Sequence, residues 1–157
     1  MTELTVRPMT PAEVDAYIDY VARGYVEQRT EFGGEPRDVA ERHAAEAIER
    51  LFPDRRPAAG QHLYAAVVGN QVVGSLWLSE QSHGGPDGQG WVYDLEVAVS
   101  YRGKGYGRAL MQAAERLARE YGCSSLALNV FGGNEVAIKL YESQGYRTTS
   151  QQMTKQL

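Results

Sequence analysis

The sequence has a single cysteine, Cys123, among its 157 residues. One thiol can form neither an internal disulfide nor a cysteine-rich metal site, and the three histidines lack the spacing of metal ligands. No run approaches the ~20 apolar residues of a membrane span, and the first residues lack the apolar core of a signal peptide. We therefore expect a soluble, cytoplasmic protein that binds no metal ion and no membrane.

Basic residues are not in excess either, because 16 lysines and arginines stand against 20 acidic residues and give a net charge of −4. Binding to nucleic acid regardless of its sequence needs a basic surface, so we expect no nucleic-acid partner. The hydrophobic fraction of 43% and the charged fraction of 23% are typical of soluble folded proteins. No internal repeat or linker divides the chain, and residues 1–157 are predicted to form one domain.

Strand and helix patterns alternate along the chain. The first helix has a clear start, because Thr10 and Glu13 form a capping box around Pro11. The predicted strands cover residues 3–8, 62–68, 71–78, 91–99 and 125–130, with one or two more from Tyr146 to the C-terminus. The predicted helices begin at Pro11, at Pro36, after residue 107 and near Asn134. This order predicts a mixed α/β sheet with helices on both faces.

The predicted strand at residues 91–99 carries two acidic residues, Asp94 and Glu96. Strict alternation puts both on one face with Val92 and Ala98. The opposite, core-facing side would then hold Trp91, Tyr93, Leu95, Val97 and Val99. A carboxylate on a half-apolar face can accept a proton or attract a cation, or it can simply be solvated.

A glycine-rich turn follows this strand and leads into a helix, with the sequence Arg102-Gly103-Lys104-Gly105-Tyr106-Gly107-Arg108. The first N–H groups of a helix have no partner within it and lie at the positive end of its dipole, so such a turn can bind an anion. Glycines let the backbone approach phosphate oxygens, and the three cations add positive charge. Neither the P-loop pattern nor the dinucleotide fingerprint matches, because Gly-Lys is followed by Gly105 and the third glycine is misplaced.

The turn resembles a known signature. Arg102-x-x-Gly105-x-Gly107 is similar to the Arg/Gln-x-x-Gly-x-Gly/Ala motif of the GCN5-related N-acetyltransferase (GNAT) superfamily, which binds the pyrophosphate of acetyl-coenzyme A (acetyl-CoA). Downstream, LNVFGGNEVAIKLYESQGY resembles the family's strand followed by Asn, Ala, Leu-Tyr-Glu and Gly-Tyr/Phe. The motifs cover about Trp91 to Tyr146, and the element order matches from Leu4 onward. The resemblance implies an α/β (α+β) fold, with a mixed, mostly antiparallel central sheet of six to seven strands flanked by about four helices on both faces.

The resemblance also implies roles for individual residues. Tyr141 would donate a proton to the leaving CoA sulfur, the Val97 N–H would meet the thioester carbonyl, and Val99 would pair with the pantetheine arm. Asn134, seven positions before Tyr141 and so on the same helix face, would bind the pantetheine amides. The expected cofactor-binding set is Val97, Ala98, Val99, Arg102, Gly103, Lys104, Gly105, Tyr106, Gly107, Arg108, Asn134, Ala137 and Tyr141.

The general base stays open between Asp94 and Glu96. Branches of the family that act on protein N-termini carry Glu where this sequence has Asn129, and an amide cannot act as a base at neutral pH. Taken alone, Tyr141 could be a core tyrosine and Asn134 a helix cap.

These residues predict an N-acetyltransferase that moves the acetyl group of acetyl-CoA to a primary amine, on a small molecule or a peptide, by direct attack in a ternary complex. One alternative is a non-catalytic acyl-CoA binding or sensing domain, which would keep the turn at residues 102–108 without needing Tyr141. Another is a phosphate-binding protein of a different fold. The sequence leaves open the acceptor's identity and the oligomeric state, a homodimer included.

Overall fold

The computed structural model describes residues 3–31 and 33–157. Within them, the strands are β1 (Leu4–Pro8), β2 (Gln61–Val68), β3 (Gln71–Ser79), β4 (Gln89–Val97) and β5 (Ser125–Leu128). The α-helices are α1 (Pro11–Glu31), α2 (Arg37–Leu51), α3 (Tyr106–Glu120) and α4 (Glu135–Ser143). Short 3-10 helices lie at Pro53–Arg55 and Val99–Tyr101.

The strands form one sheet in the order β1-β2-β3-β4-β5, in which every neighbouring pair is antiparallel except the parallel pair β4–β5. This confirms the mixed, mostly antiparallel sheet, with five strands rather than the expected six or seven. The strands predicted after Tyr146 are absent, since residues 146–157 have no regular secondary structure. Met153 and Leu157 are exposed there, so the segment buries no apolar face, and β-propensity alone does not hold a strand.

Helices cover both faces of the sheet. On one face, α3 packs its buried residues Leu110 and Ala114 against Leu76 and Leu78 of β3. On the other face, Tyr17 and Ile18 of α1 pack with Trp77 of the same strand. Because strand side chains alternate, β3 contributes to both cores and fixes the two helical layers relative to each other.

A β-bulge in β4 overturns the strict alternation expected for this strand. Leu78 pairs with Val92 and Trp77 pairs with Asp94, so Tyr93 is an extra residue without a partner on β3. Val92, Leu95 and Val97 therefore belong to the α3-side core. Tyr93 stacks on Trp77 on the other face, with a centroid distance of 4.5 Å. The prediction that Trp91, Tyr93, Leu95 and Val97 share one face is wrong, and Asp94 and Glu96 lie on the α1 side without Val92.

A capping box marks the start of α1. The Thr10 N–H donates to Glu13 Oε2 at 2.8 Å and the Glu13 N–H donates to Thr10 Oγ1 at 3.3 Å, which confirms the predicted capping box.

Strands β3 and β4 approach each other closely at a glycine. Gly74 of β3 pairs with Val97, and a Cβ there would lie 2.2 Å from the Glu96 carbonyl oxygen. A glycine is needed at this point for β3 to approach β4 so closely.

Candidate active site

Strand β4 has a free edge beyond the point where β5 ends. The β4–β5 ladder joins residues 89–92 to residues 125–128, whereas β4 continues to Val97. The Ala98 N–H donates to the Val73 carbonyl of β3 at 2.8 Å, so strand alternation turns the N–H and C=O of Val97 away from β3. Val97 therefore presents a backbone donor to the gap that opens where β5 ends.

The predicted strand runs too far at this end, because Ala98 and Val99 lie outside β4. The Tyr101 N–H donates to the Ala98 carbonyl at 2.8 Å, and the Arg102 N–H donates to the Val99 carbonyl at 3.2 Å. These i→i+3 bonds bend the chain into a 3-10 turn that leads to the glycine-rich segment. Val99 is 76% exposed, and its contact with a pantetheine arm stays a prediction.

The glycine-rich turn has the backbone geometry of an anion site. Gly103 and Gly105 have φ values of +74° and +83°, which glycine adopts without strain. The first i→i−4 bond of α3 runs from the Ala109 N–H to the Gly105 carbonyl, and no side chain caps the helix. The N–H groups of residues 106–108 precede that bond and lie at the positive end of the helix dipole, where they can donate to a phosphate.

The side chains of this turn are arranged less uniformly than its backbone. Tyr106 is buried in the α3-side core, so it can offer a ligand only its N–H. Lys104 Nζ donates to the Ser100 carbonyl at 3.2 Å and lies 5.3 Å from the centroid of the Tyr101 ring. Arg102 Nε donates to the Val97 carbonyl at 2.9 Å. Arg108 is exposed on the first turn of α3.

Helix α4 approaches the start of α3. A Cβ on Gly107 would lie 3.2 Å from Leu140 Cδ2, so the glycine allows the two helices to come close. Asn134 caps α4, since its Oδ1 accepts a hydrogen bond from the Ala137 N–H at 3.2 Å. The capping role proposed for Asn134 is therefore confirmed, and its contact with a cofactor stays a prediction.

Tyr141 of α4 is half-buried. Burial raises the pKa of its hydroxyl, and the negative charge of Asp94 raises that pKa further. The phenol therefore keeps its proton at neutral pH and can act as a hydrogen-bond donor.

Asp94 is held by hydroxyl groups from two elements. The Tyr17 hydroxyl of α1 donates to Asp94 Oδ2 at 2.7 Å, and Ser75 Oγ of β3 lies 3.5 Å from the same oxygen. Burial raises the pKa of Asp94 and the nearby Glu96 adds to the increase, while the Tyr17 hydrogen bond opposes it. Asp94 is thus a carboxyl group whose charged form is costly.

Glu96 is held differently, with one contact on each oxygen. The Tyr20 hydroxyl donates to Oε2 at 2.6 Å, and Arg102 Nη2 lies 3.7 Å from Oε1. The hydrogen bond to Glu96 is the main reason that the pKa of Tyr20 rises to about 12. The Glu96 side chain remains 37% exposed, so it can exchange protons with solvent.

Sequence reasoning missed Tyr17 and Tyr20 as parts of the site. Both project from α1, three positions apart, onto carboxylates that are two positions apart on β4. Tyr17 belongs to the apolar stripe of α1, which makes a polar role invisible in the pattern. The pairs join residues 77 and 76 positions apart, and no local signal specifies such a contact.

Other features of the described residues lie away from these groups. Cavities of about 310 and 380 Å³ lie beside Tyr121 and between α1 and α2, and neither is lined by a predicted site residue. Within residues 3–31 and 33–157, no three His, Cys, Asp or Glu side chains are grouped so that they could hold a metal ion. No helix in the described part of the chain combines the length and apolarity needed to cross a membrane.

Comparison with known proteins gives a family and a fold. The sequence profile of the acetyltransferase (GNAT) family matches residues 23–146. YycN, an uncharacterized N-acetyltransferase of Bacillus subtilis, is 30% identical over 156 residues, which cover 98% of this chain and 99% of YycN. Its crystal structure superposes with a TM-score of 0.85 over 98% of both chains. The aminoglycoside N-acetyltransferase AAC(6')-Iy in complex with CoA has a TM-score of 0.61 at 17% identity, over 100% of this chain and 96% of that chain. That similarity concerns the fold.

Proposed function

Because the chain belongs to the acetyltransferase (GNAT) family, we propose that it transfers the acetyl group of acetyl-CoA to a primary amine by direct attack in a ternary complex. One observation carries the proposal. The start of α3 has no side-chain cap, β4 has a free edge at Val97 beyond the end of β5, and α4, which carries the protonated Tyr141 hydroxyl, approaches the start of α3 through Leu140. An anion site, an N–H donor and a proton donor are the groups that acyl transfer from a diphosphate-bearing thioester requires.

Acetyl-CoA would be held mainly by backbone groups. The N–H groups of residues 106–108 would donate to its diphosphate, with the charges of Lys104 and Arg108 nearby. Val97 at the edge of β4, with Ala98 and Val99 just after it, would contact the pantetheine arm, as would Asn134 and Ala137 at the start of α4. Acetyl-CoA would supply an activated acetyl thioester, and this chain would supply the groups that bind it.

The acceptor amine must lose a proton before it can attack. From a reference lysine pKa of about 10.4, roughly one amine in 2,500 is uncharged at pH 7. Glu96 would accept the proton, because its side chain is 37% exposed and an incoming amine can reach it. Asp94, which is half-buried and bonded to Tyr17, would favour binding of the protonated amine through its charge.

The remaining steps fall to Val97 and Tyr141. The amine nitrogen would form a bond to the thioester carbonyl carbon, and the Val97 N–H would donate to the oxygen that becomes negative. The C–S bond then breaks, and the Tyr141 hydroxyl would give its proton to the departing sulfur. The attacking nitrogen would lose its second proton to solvent as the amide forms, and solvent would return a proton to Tyr141.

Tyr141→Phe tests the proton-donor role. We expect kcat to fall by about a factor of 100, while the Kd for CoA changes by less than about threefold, because only the hydroxyl is lost. The matched control is Tyr146→Phe, since the Tyr146 ring lies 6.1 Å from that of Tyr141 and its hydroxyl bonds to Glu115 instead. Equal turnover in wild type and Tyr141→Phe would refute the role and favour the non-catalytic alternative.

The acceptor is identified by measuring thiol release from acetyl-CoA with a panel of polyamines, aminoglycosides, amino acids and peptides with free lysines or N-termini. We expect amine-dependent release with at least one class. If CoA binds but no amine in the panel causes thiol release from acetyl-CoA, the result would support an acyl-CoA binding domain.

A further inference from the structure

The side chain of Arg102 reaches from the glycine-rich turn to β4, where Glu96 is the proposed acceptor of the amine's proton. Its backbone belongs to the turn, but Nε donates to the Val97 carbonyl at 2.9 Å and Nη2 lies 3.7 Å from Glu96 Oε1. Both partners belong to β4, so the guanidinium lies along the free edge of this strand. The signature residue therefore has side-chain contacts different from those expected of a phosphate ligand.

Glu96 therefore has a different neighbour beside each of its two oxygens. Tyr20 of α1 donates to Oε2, and Arg102 lies next to Oε1. Asp94 differs, because the hydroxyls of Tyr17 and Ser75 both lie near one oxygen, Oδ2. A carboxylate with a separate contact on each oxygen has a defined plane, which a group that receives a proton from a bound amine needs.

The hydrogen bond to the Val97 carbonyl holds the Arg102 guanidinium on β4 independently of Glu96. The Val97 carbonyl points away from β3, and a charged donor on it is stronger than a neutral one. With Nε bonded there, the planar guanidinium is oriented so that Nη2 lies on the Glu96 side of the strand. Arg108 has no comparable tie to β4 in the described residues and lies on the first turn of α3, beside the free N–H groups.

We propose that Arg102 is a positioning residue for the amine acceptor: its side chain orients Glu96 from the β4 edge, while the backbone N–H groups of the turn and Arg108 bind the diphosphate. This inference rests on the proposed function for its account of Glu96. Its claim about CoA binding does not depend on any amine being acetylated.

The test compares Arg102→Gln with Arg108→Gln, and uses Arg116→Gln, an exposed cation farther along α3, as the surface control. For Arg102→Gln we expect kcat/KM for the amine to fall by about tenfold while the calorimetric Kd for CoA changes by less than about threefold. Arg108→Gln should weaken CoA binding by about tenfold at 0.1 M salt, and less at 0.5 M because salt screens the charge. Arg116→Gln should change neither quantity.

A double-mutant cycle shows whether Arg102 acts through Glu96. If it does, Arg102→Gln should have almost no further effect on kcat/KM in a Glu96→Gln background. Arg102→Lys should recover part of the lost kcat/KM, because it keeps the charge without the planar two-point contact. Additive effects of Arg102→Gln and Glu96→Gln would overturn the inference.

CoA affinity decides the question separately from turnover. If Arg102→Gln weakens CoA binding as much as Arg108→Gln does, the side chain is a phosphate ligand and the inference is wrong. If wild type acetylates no amine, the proposed function fails, and the two Kd values still show whether Arg102 or Arg108 binds the diphosphate. Should Arg102→Gln lower the melting temperature strongly, Arg102→Met, which keeps the aliphatic part of the side chain without its charge, provides the same comparison.

Discussion

The two sides of the proposed site are built from different parts of the chain. The proposed cofactor side consists mainly of backbone: the N–H groups of residues 106–108, the Val97 N–H and the glycines that give the turn its shape. The proposed acceptor side consists of side chains, with the hydroxyls of Tyr17 and Tyr20 of α1 bonded to Asp94 and Glu96 of β4.

This difference separates what each side can tolerate. A backbone anion site depends chiefly on conformation at a few glycines, and the charge of Arg108 would add to its affinity. A side-chain site depends on the relative position of α1 and β4, which the whole α1-side core sets. Substitutions in α1 should therefore change binding of the amine acceptor without changing binding of CoA. Both sides depend on β4, so a change in that strand should affect both.

The largest effect should come from Gly74→Ala, which acts on β4 itself. The new Cβ would lie 2.2 Å from the Glu96 carbonyl oxygen, so β3 and β4 must separate beside Glu96 and Val97. We expect a loss of about 3 kcal/mol in the free energy of unfolding, a fall of roughly 10 °C in melting temperature, and loss of both CoA binding and turnover.

The control for Gly74→Ala is Gly24→Ala in the middle of α1, where nothing lies within 4 Å of the new Cβ. There alanine should stabilise the helix by roughly 0.5–1 kcal/mol. Denaturant unfolding measures the free energy of unfolding of both variants, which should fall in Gly74→Ala and rise in Gly24→Ala. A Gly74→Ala protein as stable as wild type would show that β3 and β4 do not need this close approach.

A smaller and more selective effect is expected from Gly105→Ala on the cofactor side. The φ value of +83° costs an L-residue about 1–2 kcal/mol, and relaxation of the turn would redirect the first N–H groups of α3. CoA affinity should fall by about tenfold. Gly122→Ala is the matched control, because Gly122 has a φ of +85° at the other end of α3 and open space around it.

The two variants should lose similar stability, and only Gly105→Ala should lose CoA affinity. Calorimetric titration with CoA, together with melting curves, measures both quantities. Equal loss of affinity in Gly122→Ala would mean that the effect is one of general destabilisation and that the turn has no special role.

The same contrast explains what could be predicted from the sequence. The cofactor side is contiguous: the order of strand, glycines and helix, and the positive φ of Gly103 and Gly105, follow from residues within one short segment. The capping roles of Thr10 and Asn134 are likewise local and are confirmed by hydrogen bonds to residues three positions away. Patterns of this kind need no knowledge of the tertiary structure.

The acceptor side could not be predicted in the same way. The bulge at Tyr93 changes which residues share a face, and it depends on the register between β3 and β4. The predicted last strands failed for a related reason, because the alternation of residues 146–157 offers no apolar face to the core. Contacts such as Tyr17 to Asp94 exist only once α1 is packed on the sheet.

The smallest expected effect concerns the stability cost of Asp94. Burial raises its pKa in the folded protein above the ordinary value of 3.8, so the folded state binds the proton more tightly than the unfolded state does. The free energy of unfolding therefore decreases as pH rises from about 3.8 through the folded-state pKa, and the penalty is complete above that pKa. Asp94→Asn should raise the melting temperature at pH 7 by roughly a few degrees, with the gain disappearing near pH 4.

Melting curves of wild type and Asp94→Asn between pH 4 and pH 8 measure the difference. The control is Asp87→Asn, because Asp87 is exposed. A melting temperature below that of wild type at every pH would mean that the carboxylate stabilises the α1–β4 contact, and the acceptor side would then be held together by its charge.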